Sequence, residues 1–465
     1  MFGKTSAQTS WLDDRIACIP FLDRLLAMLR GGSVRARFAN GAIWSLLGAG
    51  ISQTMGFVAG VVTARLLGKT GFGEFGMIQS TIAMFGVFAG LGLGMTATRH
   101  VALFRKTDPA RAGRIITLTS VMAIGVATVL TLTGAAAANW LALHTMNAPD
   151  LAPQLRLGCG LLLVNALSGA QMGVLSGLES FKAIAKVNII RGLINLPATV
   201  TGVYFLGLTG AVAASVCVGV LTCLISMLVM QTECRRWKIA LSLTGWKTEF
   251  PVLWRFSLPV FVSSIMLGPV EWAMNAILVN QPGGYDQLGL FSAAKQWFVI
   301  MLYLPNMVSG LTFPMLSNLW GENCFARCKR FMIQNTGVLL VLTVLVTVPV
   351  GLFAGPAMRM YGNGFSTGTW VLLLMCVRAL TVPPNMVTGQ AVWVMGSPKA
   401  GVVLAGFKSM SLFLLFLMFL PFGALGMAAA FALGDFILMI IQVMYLRNIL
   451  GRTPASFASP LKCVS

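Results

Sequence analysis

Charge is scarce in this 465-residue chain: Asp, Glu, Lys and Arg together make up 10% of it, against roughly 25% in an ordinary soluble domain. Carboxylates are scarcest, with 13 acids against 33 bases and a formal net charge of +20. Histidine is almost absent. His100 and His144 are the only two, too few and too separated for a metal centre. There is no P-loop, no H-E-x-x-H and no Ser/His/Asp arrangement, so an enzyme is unmotivated and neither a cofactor nor a metal is expected. The nine cysteines fall in cytoplasmic gaps or tails (Cys18, Cys234, Cys324, Cys328 and Cys463) or inside apolar blocks (Cys159, Cys217, Cys223 and Cys376). None is left for an external disulfide framework. Cys324 and Cys328 have no second Cys or His pair nearby to complete a zinc site. The ten-residue alternating segments of a membrane β-barrel are missing as well.

Long apolar runs are what the chain has. Hydrophobic residues make up 57% of it, with a mean hydropathy of +0.83. Twelve blocks run 40–64, 75–98, 115–142, 157–178, 187–206, 208–231, 251–279, 288–316, 332–355, 367–394, 400–420 and 423–446. A transmembrane helix needs about 20 apolar residues to cross about 30 Å of hydrocarbon, and only helices satisfy the backbone at this density. The expected fold is an all-α integral membrane protein of about twelve transmembrane helices.

The basic residues alternate between the two sides. Twenty-six of the 33 lie in the N-terminal tail, the even-numbered gaps and the C-terminal tail, counting Arg191 and Arg255 at helix ends. The odd-numbered gaps hold only Arg65, Lys69, Arg156 and Arg359. By the positive-inside rule both termini are cytoplasmic. A sequence pI near 10.2 would suit a nucleic-acid ligand. Basic residues placed between apolar blocks instead name the bilayer as partner and exclude nucleic acid. The first apolar stretch is interrupted by Asp23 and Arg24, unlike a cleavable signal peptide. Within it, Ile19, Leu22, Leu25, Leu26 and Leu29 could form an amphipathic helix on the cytoplasmic leaflet, or the tail could be weakly ordered.

The chain divides into a tail (1–39), a six-helix lobe (40–231), a basic cytoplasmic linker (232–250), a second six-helix lobe (251–447) and a C-terminal tail (448–465). The halves echo each other. Gly71-Phe72-Gly73-Glu74-Phe75-Gly76 matches Gly284-Tyr285-Asp286-Gln287-Leu288-Gly289 at an offset of 213. Gln171 and Gly177 match Gln390 and Gly396 at an offset of 219. Six helices per half preserve helix direction, so the lobes are expected to be related by a pseudo-twofold axis along the membrane normal, with a cavity between them. The G-x-G-x-x-G at 71–76 falls in an external loop with no βαβ unit, which excludes a dinucleotide site. Gly56 with Gly60, and Gly86 with Gly90 and Gly94, suit close helix approach. Pro259, Pro269, Pro305 and Pro314 can bend helices 7 and 8.

The intramembrane charges are the candidate site. Each costs about 2.5–3.5 kcal/mol at the bilayer centre unless it faces a cavity or a partner. Lys295, Arg378 and Lys408 lie inside helices 8, 10 and 11, with Glu271 and Asp435 in helices 7 and 12. Arg99, Arg191 and Arg255 lie near cytoplasmic helix ends, where snorkelling to headgroups competes with a site role. One reading pairs these charges within the bundle, for example Glu271 with Lys295. The other is a cationic cavity of Lys295, Arg378, Lys408, Arg99 and Arg191 for an anionic, phosphate-bearing substrate, with Glu271 and Asp435 as ion-coupling acids. Gln53, Gln79, Asn165, Asn195, Asn275, Asn306 and Gln442 could touch sugar hydroxyls or bond between helices.

The segment 39–102, with its "ARLLGKTGFGEFG" turn, its glycine-rich second helix and the closing Arg99, resembles the opening helix pair of polysaccharide-export flippases of the multidrug/oligosaccharidyl-lipid/polysaccharide superfamily. The stretch 169–192 resembles the connection between the fourth and fifth helices of that family. The resemblance implies alternating-access transfer of an undecaprenyl-diphosphate-linked oligosaccharide across a bacterial inner membrane. Polymerase and glycosyltransferases would be its partners. It transfers no site residue, so Lys295 and Arg378 stand on burial and charge alone. The rivals are a cation-coupled multidrug antiporter of the same superfamily, with Glu271 as coupling acid, and a polysaccharide polymerase or ligase. A peptidoglycan-precursor flippase would usually have fourteen helices. The short external gap at 143–156 argues against the polymerase.

Overall fold

A computed structural model describes residues 34–242, 249–250, 265–310, 312–322, 325–396 and 398–452, and every regular element among them is helical. The proposed amphipathic tail helix, Pro259 and Arg255 lie outside the described residues. In the N-terminal half, α1 (34–67) and α2 (69–90) are the arms of Val34–Gly90, and α2 resumes as Leu93–Phe104. They are followed by α3 (Pro109–His144), α4 (Ala152–Gly177), and α5 (181–206) with α6 (208–236), the arms of Phe181–Arg236. The C-terminal half holds α7 (Gly268–Val279) and α8 (Gly284–Met301, continuing through Tyr303–Ser309 and Thr312–Gly321). Then come α9 (Phe325–Leu352), α10 (Thr369–Met395), α11 (Pro398–Phe419) and α12 (Gly423–Arg452).

The apparently continuous helices are hairpins. Gly68 and Gly207 take φ of 70° and 55°, a left-handed geometry that breaks a helix and favours glycine. Phe57 and Phe72 each place their ring 6.3 Å from that of Tyr361. Fifteen residues of straight helix would separate them by about 22 Å at 1.5 Å per residue, so the chain folds back at Gly68. A Cβ on Gly202 would meet Gly210 O at 2.6 Å, which closes the second hairpin at Gly207. The α11–α12 hairpin closes likewise through Leu420–Phe422, bringing Leu412 against Gly434. Seven long apolar segments, three of them hairpins, thus supply ten crossings; α8 and the described part of α7 correspond to the other two expected blocks.

Helix α8 is bent by 47° between Gly284–Met301 and the segment beginning at Tyr303. Pro305 has no N–H to give the carbonyl of Met301, which accounts for a break at this position. Of the glycines at helix-contact spacing, Gly60 receives Gln296 and Gly94 receives Gly169 and Gly173; a Cβ on Gly56, Gly86 or Gly90 would meet no described atom within 4 Å.

Call the outer end of the bundle the one carrying the α1–α2, α3–α4, α5–α6, α7–α8, α9–α10 and α11–α12 connections. There a single apolar core spans both halves, from Phe72, Ile78, Leu141 and Leu155 to Leu278, Phe291, Leu372 and Met427. At the inner end the core splits. Ala97, Ile116, Leu175 and Met230 form one cluster in α1–α6, and Leu316, Val392, Met395 and Leu446 form another in α8–α12. The apolar cores of the two lobes are thus joined outside and separate inside, where Tyr303 OH of α8 still donates to Leu46 O of α1 at 2.8 Å. Their outward faces are apolar, with Leu132, Val341 and Leu352 all more than 60% exposed, as lipid solvation allows and water would not.

Candidate functional site

Between the lobes, α2, α7 and α8 enclose a cavity of about 530 Å³. Its floor at the outer end is aromatic and apolar, with Phe72, Phe75 and Leu288. Its polar wall comes from Gln79 and Ser80 on α2, Glu271 and Asn275 on α7, and Ser292, Lys295 and Gln296 on α8. The α8 residues recur at three- and four-residue spacing, so one stripe of the helix faces inward. Lys295 donates through Nζ to Glu271 Oε1, and the two side chains remain 44% and 35% exposed toward the cavity. The paired reading of these residues holds.

The other intramembrane charges form a second group. Asp435, 3% exposed, accepts from Arg378 Nε at 2.9 Å and from Lys408 Nζ at 2.8 Å. The Arg378 guanidinium lies 4.3 Å from the centre of the Phe298 ring and 4.2 Å from that of Phe431, an arrangement that suits a planar cation. Asn385 Nδ2 donates to Asp435 O at 2.7 Å. Arg378 and Lys408 both act electrostatically on Glu271, so three cations and two carboxylates share one neighbourhood inside the C-terminal lobe.

The five expected cations therefore do not line this cavity together. Lys295 alone stands in its wall, with Glu271 against it. Arg378 and Lys408 share Asp435, and Arg99 and Arg191 are exposed on α2 and α5 outside this wall. Asp435, with two cations on its oxygens, is built as a counter-ion. Of the polar residues at membrane depth, Gln79 and Asn275 reach the cavity, whereas Gln442 accepts from Thr388 at 2.6 Å as an interhelical bond. Ser80, Ser292 and Gln296 escaped the sequence reading; the stripe of α8 that carries Lys295 would have revealed the last two.

The outer end above the cavity is sealed by contacts between the lobes. Lys69 Nζ pairs with Asp286 Oδ2 at 2.7 Å, and Thr70 Oγ1 donates to Asp286 Oδ1 at 2.5 Å. Tyr285 OH donates to Met146 O, and Asn280 Nδ2 to Thr145 O, each at 2.8 Å. Fully buried Tyr361 wedges among Phe57, Phe72 and Phe365 and donates to Gln296 Oε1 at 3.1 Å. On α2 and α7, Asn275 donates to Ser80 at 2.7 Å and Trp272 to Thr81 at 3.0 Å. Partial burial opposes ionisation of Asp286, but the hydrogen bonds from Lys69 and Thr70 and the Lys69 charge outweigh it and hold the carboxyl below its usual range. Glu74 moves the other way, raised by burial and by Asp150.

A family described as polysaccharide biosynthesis protein matches residues 38–320, more than half of the chain. The chain belongs to this family. Among curated relatives, it is 25% identical over 355 residues to the EPS I polysaccharide export inner membrane protein EpsE of Ralstonia nicotianae, covering 72% of this chain and 77% of that one. It is 23% identical over 416 residues to a putative O-antigen transporter of Shigella flexneri, covering 87% and 97%. Among solved structures, a multidrug resistance MATE family transporter of the MOP superfamily in its inward-facing conformation aligns with a TM-score of 0.73 at 15% identity, over 88% of this chain and 98% of that one. A MOP superfamily transporter from Pyrococcus furiosus, described by the reversed polarity of its binding pocket, aligns at 0.68 and 16% identity, over 92% and 98%. These structural likenesses establish the fold, a multi-pass helical bundle like that of those transporters.

Proposed function

We propose that this protein flips an undecaprenyl-diphosphate-linked oligosaccharide across a bacterial inner membrane, in exopolysaccharide, O-antigen or capsule biosynthesis. The observation that carries this reading is the cavity holding Lys295 and Glu271, which lies under a sealed outer end between lobes whose inner cores are separate. Such an arrangement suits loading from the cytoplasmic side. The lobes are residues 40–231 and 251–447, with both termini cytoplasmic.

A diphosphate entering the cavity competes with Glu271 for Lys295. Arg378 and Lys408 add positive potential from behind, and Gln79, Asn275, Ser292 and Gln296 offer donors and acceptors to the first sugars. The prenyl chain stays in lipid. No bond is made or broken, so the protein is a transporter and not an enzyme, and it works between the glycosyltransferases that build its substrate and the polymerase that consumes it.

The test replaces Lys295 in a strain lacking the chromosomal copy. A charge-assisted hydrogen bond is worth about 1.5–3 kcal/mol, or about 10- to 150-fold. Lys295→Met is expected to lower surface polymer by at least about tenfold while the protein stays inserted and the lipid-linked intermediate accumulates inside. Glu271→Gln, which frees Lys295, should retain export. Normal polymer in Lys295→Met would sink the assignment, and loss of drug resistance in Glu271→Gln with normal polymer would favour the antiporter.

A further inference from the structure

A second pocket lies at the outer end, across the seam of the lobes, with a volume of about 360 Å³, inside the range of about 300–1,000 Å³ typical of small-ligand sites. Its floor is apolar, with Leu290 and Val371 5% and 3% exposed. Beside the floor stands the indole of Trp370, 71% exposed although its neighbour Val371 is buried. The rim is polar. Lys69 comes from the α1–α2 connection, Asp286 and Gln287 from the start of α8, and Thr367 from the turn before α10. Gln287 Oε1 accepts from Ala424 N at 3.0 Å, which turns its amide NH₂ into the group offered to a ligand. Lys69 spends one of its three donors on Asp286.

We propose that this pocket is a sugar-docking site on the outer face, distinct from the cavity that holds Lys295. A pyranose ring has an apolar C–H face and a rim of hydroxyls. The pocket answers both, with an aromatic platform over an apolar floor and closely spaced donors and acceptors around it. An anionic ligand fits less well, because the rim's one cation is already neutralised by Asp286. An acyl chain would leave the rim's polar groups unpaired. Lys69 belongs to one lobe and the rest of the wall to the other, so a sugar seated here bridges the seam directly beside its ion pair. On the reading of this protein as a glycan exporter, on which this inference rests, the site receives the leading sugars of a delivered glycan and couples their departure to the outer seal. A tryptophan placed only as an interfacial anchor would need no pocket.

Saturation-transfer NMR on the full-length protein in lipid nanodiscs tests this, with the methyl glycosides of glucose, galactose, rhamnose, N-acetylglucosamine and glucuronic acid as probes. At least one is expected to give a signal that falls about fivefold or more in Trp370→Ala and persists in Trp370→Phe. Thr367→Arg, which fills the pocket from an exposed position, should abolish it without threatening the fold, and Lys295→Met should leave it unchanged. Absence of signal for every glycoside, or an undiminished signal in Trp370→Ala and Thr367→Arg, overturns the proposal and leaves Trp370 an interfacial anchor. The two readings fail separately. Normal export in Lys295→Met with glycoside binding intact removes the flippase assignment and keeps the pocket. Lost export with no glycoside binding does the reverse.

Discussion

Replacing Asp435 with Ala asks what the buried charges of the C-terminal lobe are for. The carboxylate is 3% exposed and holds Arg378 and Lys408, whose side chains are 13% and 24% exposed. Removing one member of a buried pair costs about 3–5 kcal/mol, mostly because the surviving charge is left uncompensated. Two cations survive here. Lys408 has the more exposed head and the more flexible stem, so part of its penalty is relieved by reaching toward water, whereas Arg378 is pinned between Phe298 and Phe431. We expect a loss of about 3–4 kcal/mol, or two to three decades in the folding equilibrium at 1.36 kcal/mol per decade. A multi-span protein inactivates irreversibly, so the assay is the half-life at fixed temperature in detergent, followed by fluorescence-detected size exclusion. The companion variant, Arg378→Met with Lys408→Met and Asp435→Leu, removes all three charges at similar volume and should return to within about 1 kcal/mol of the wild type. An unchanged half-life in Asp435→Ala, or a triple variant as unstable as the single one, would refute the counter-ion account. A stable triple variant that no longer exports polymer would show that Arg378 and Lys408 serve the substrate as well as the fold.

The outer seal yields two further expectations. A Cβ on Gly73 would lie 1.9 Å from Tyr285 O, a backbone atom that cannot swing aside. Gly73→Val should therefore part the lobes and raise labelling of an added Ser292→Cys by an impermeant maleimide from outside, in a chain otherwise freed of cysteine; unchanged labelling would place the seal elsewhere. Because the Asp286 pKa is depressed in the folded protein, its contribution is complete above the ordinary carboxylate value near 4 and fades as pH falls through the lower folded value. Measured relative to a fully exposed cysteine labelled at the same pH, which corrects for loss of the reactive thiolate, the same labelling should thus stay low from neutral pH to about 5 and rise only below about 4, and Asp286→Asn should remove that dependence.

Twelve apolar spans were legible because hydropathy is a sum over consecutive residues, insensitive to packing. The pairing of Glu271 with Lys295 was legible too, since adjacent antiparallel helices bring nearby stretches together. Asp435 was not recognisable as the shared counter-ion of Arg378 and Lys408, because the three lie on different helices and only the tertiary arrangement brings them to within 3 Å. Part of the basic charge read as an orientation signal has a use in packing. Arg111 and Arg114 both pair with Glu249, at 3.0 and 3.3 Å, and Arg105 pairs with Glu179 at 2.6 Å. The positive-inside reading would account for the sign of those arginines, but only packing shows that Arg111 and Arg114 also fasten Glu249 to α3.

The glycine motif that repeats at an offset of 213 has a physical reason. Gly76 and Gly289 are equivalent positions of the two copies, and both sit where α2 and α8 cross at the outer end. A Cβ on Gly76 would lie 2.7 Å from Ser292 Oγ, and one on Gly289 would lie 2.1 Å from Lys69 O. Elements near a pseudo-twofold axis meet their own counterparts, so a demand for close backbone approach falls on both copies at once, and glycine meets it in each. At that crossing the backbones meet by shape, and around it the seam is held by the apolar core the lobes share, with Phe57 and Phe72 against Tyr361 and Phe365, and by a few polar links, chiefly Asp286 with Lys69 and Thr70. Opening that end breaks few hydrogen bonds but exposes the shared apolar core, so the end a transporter must open is held shut mainly by its apolar contacts.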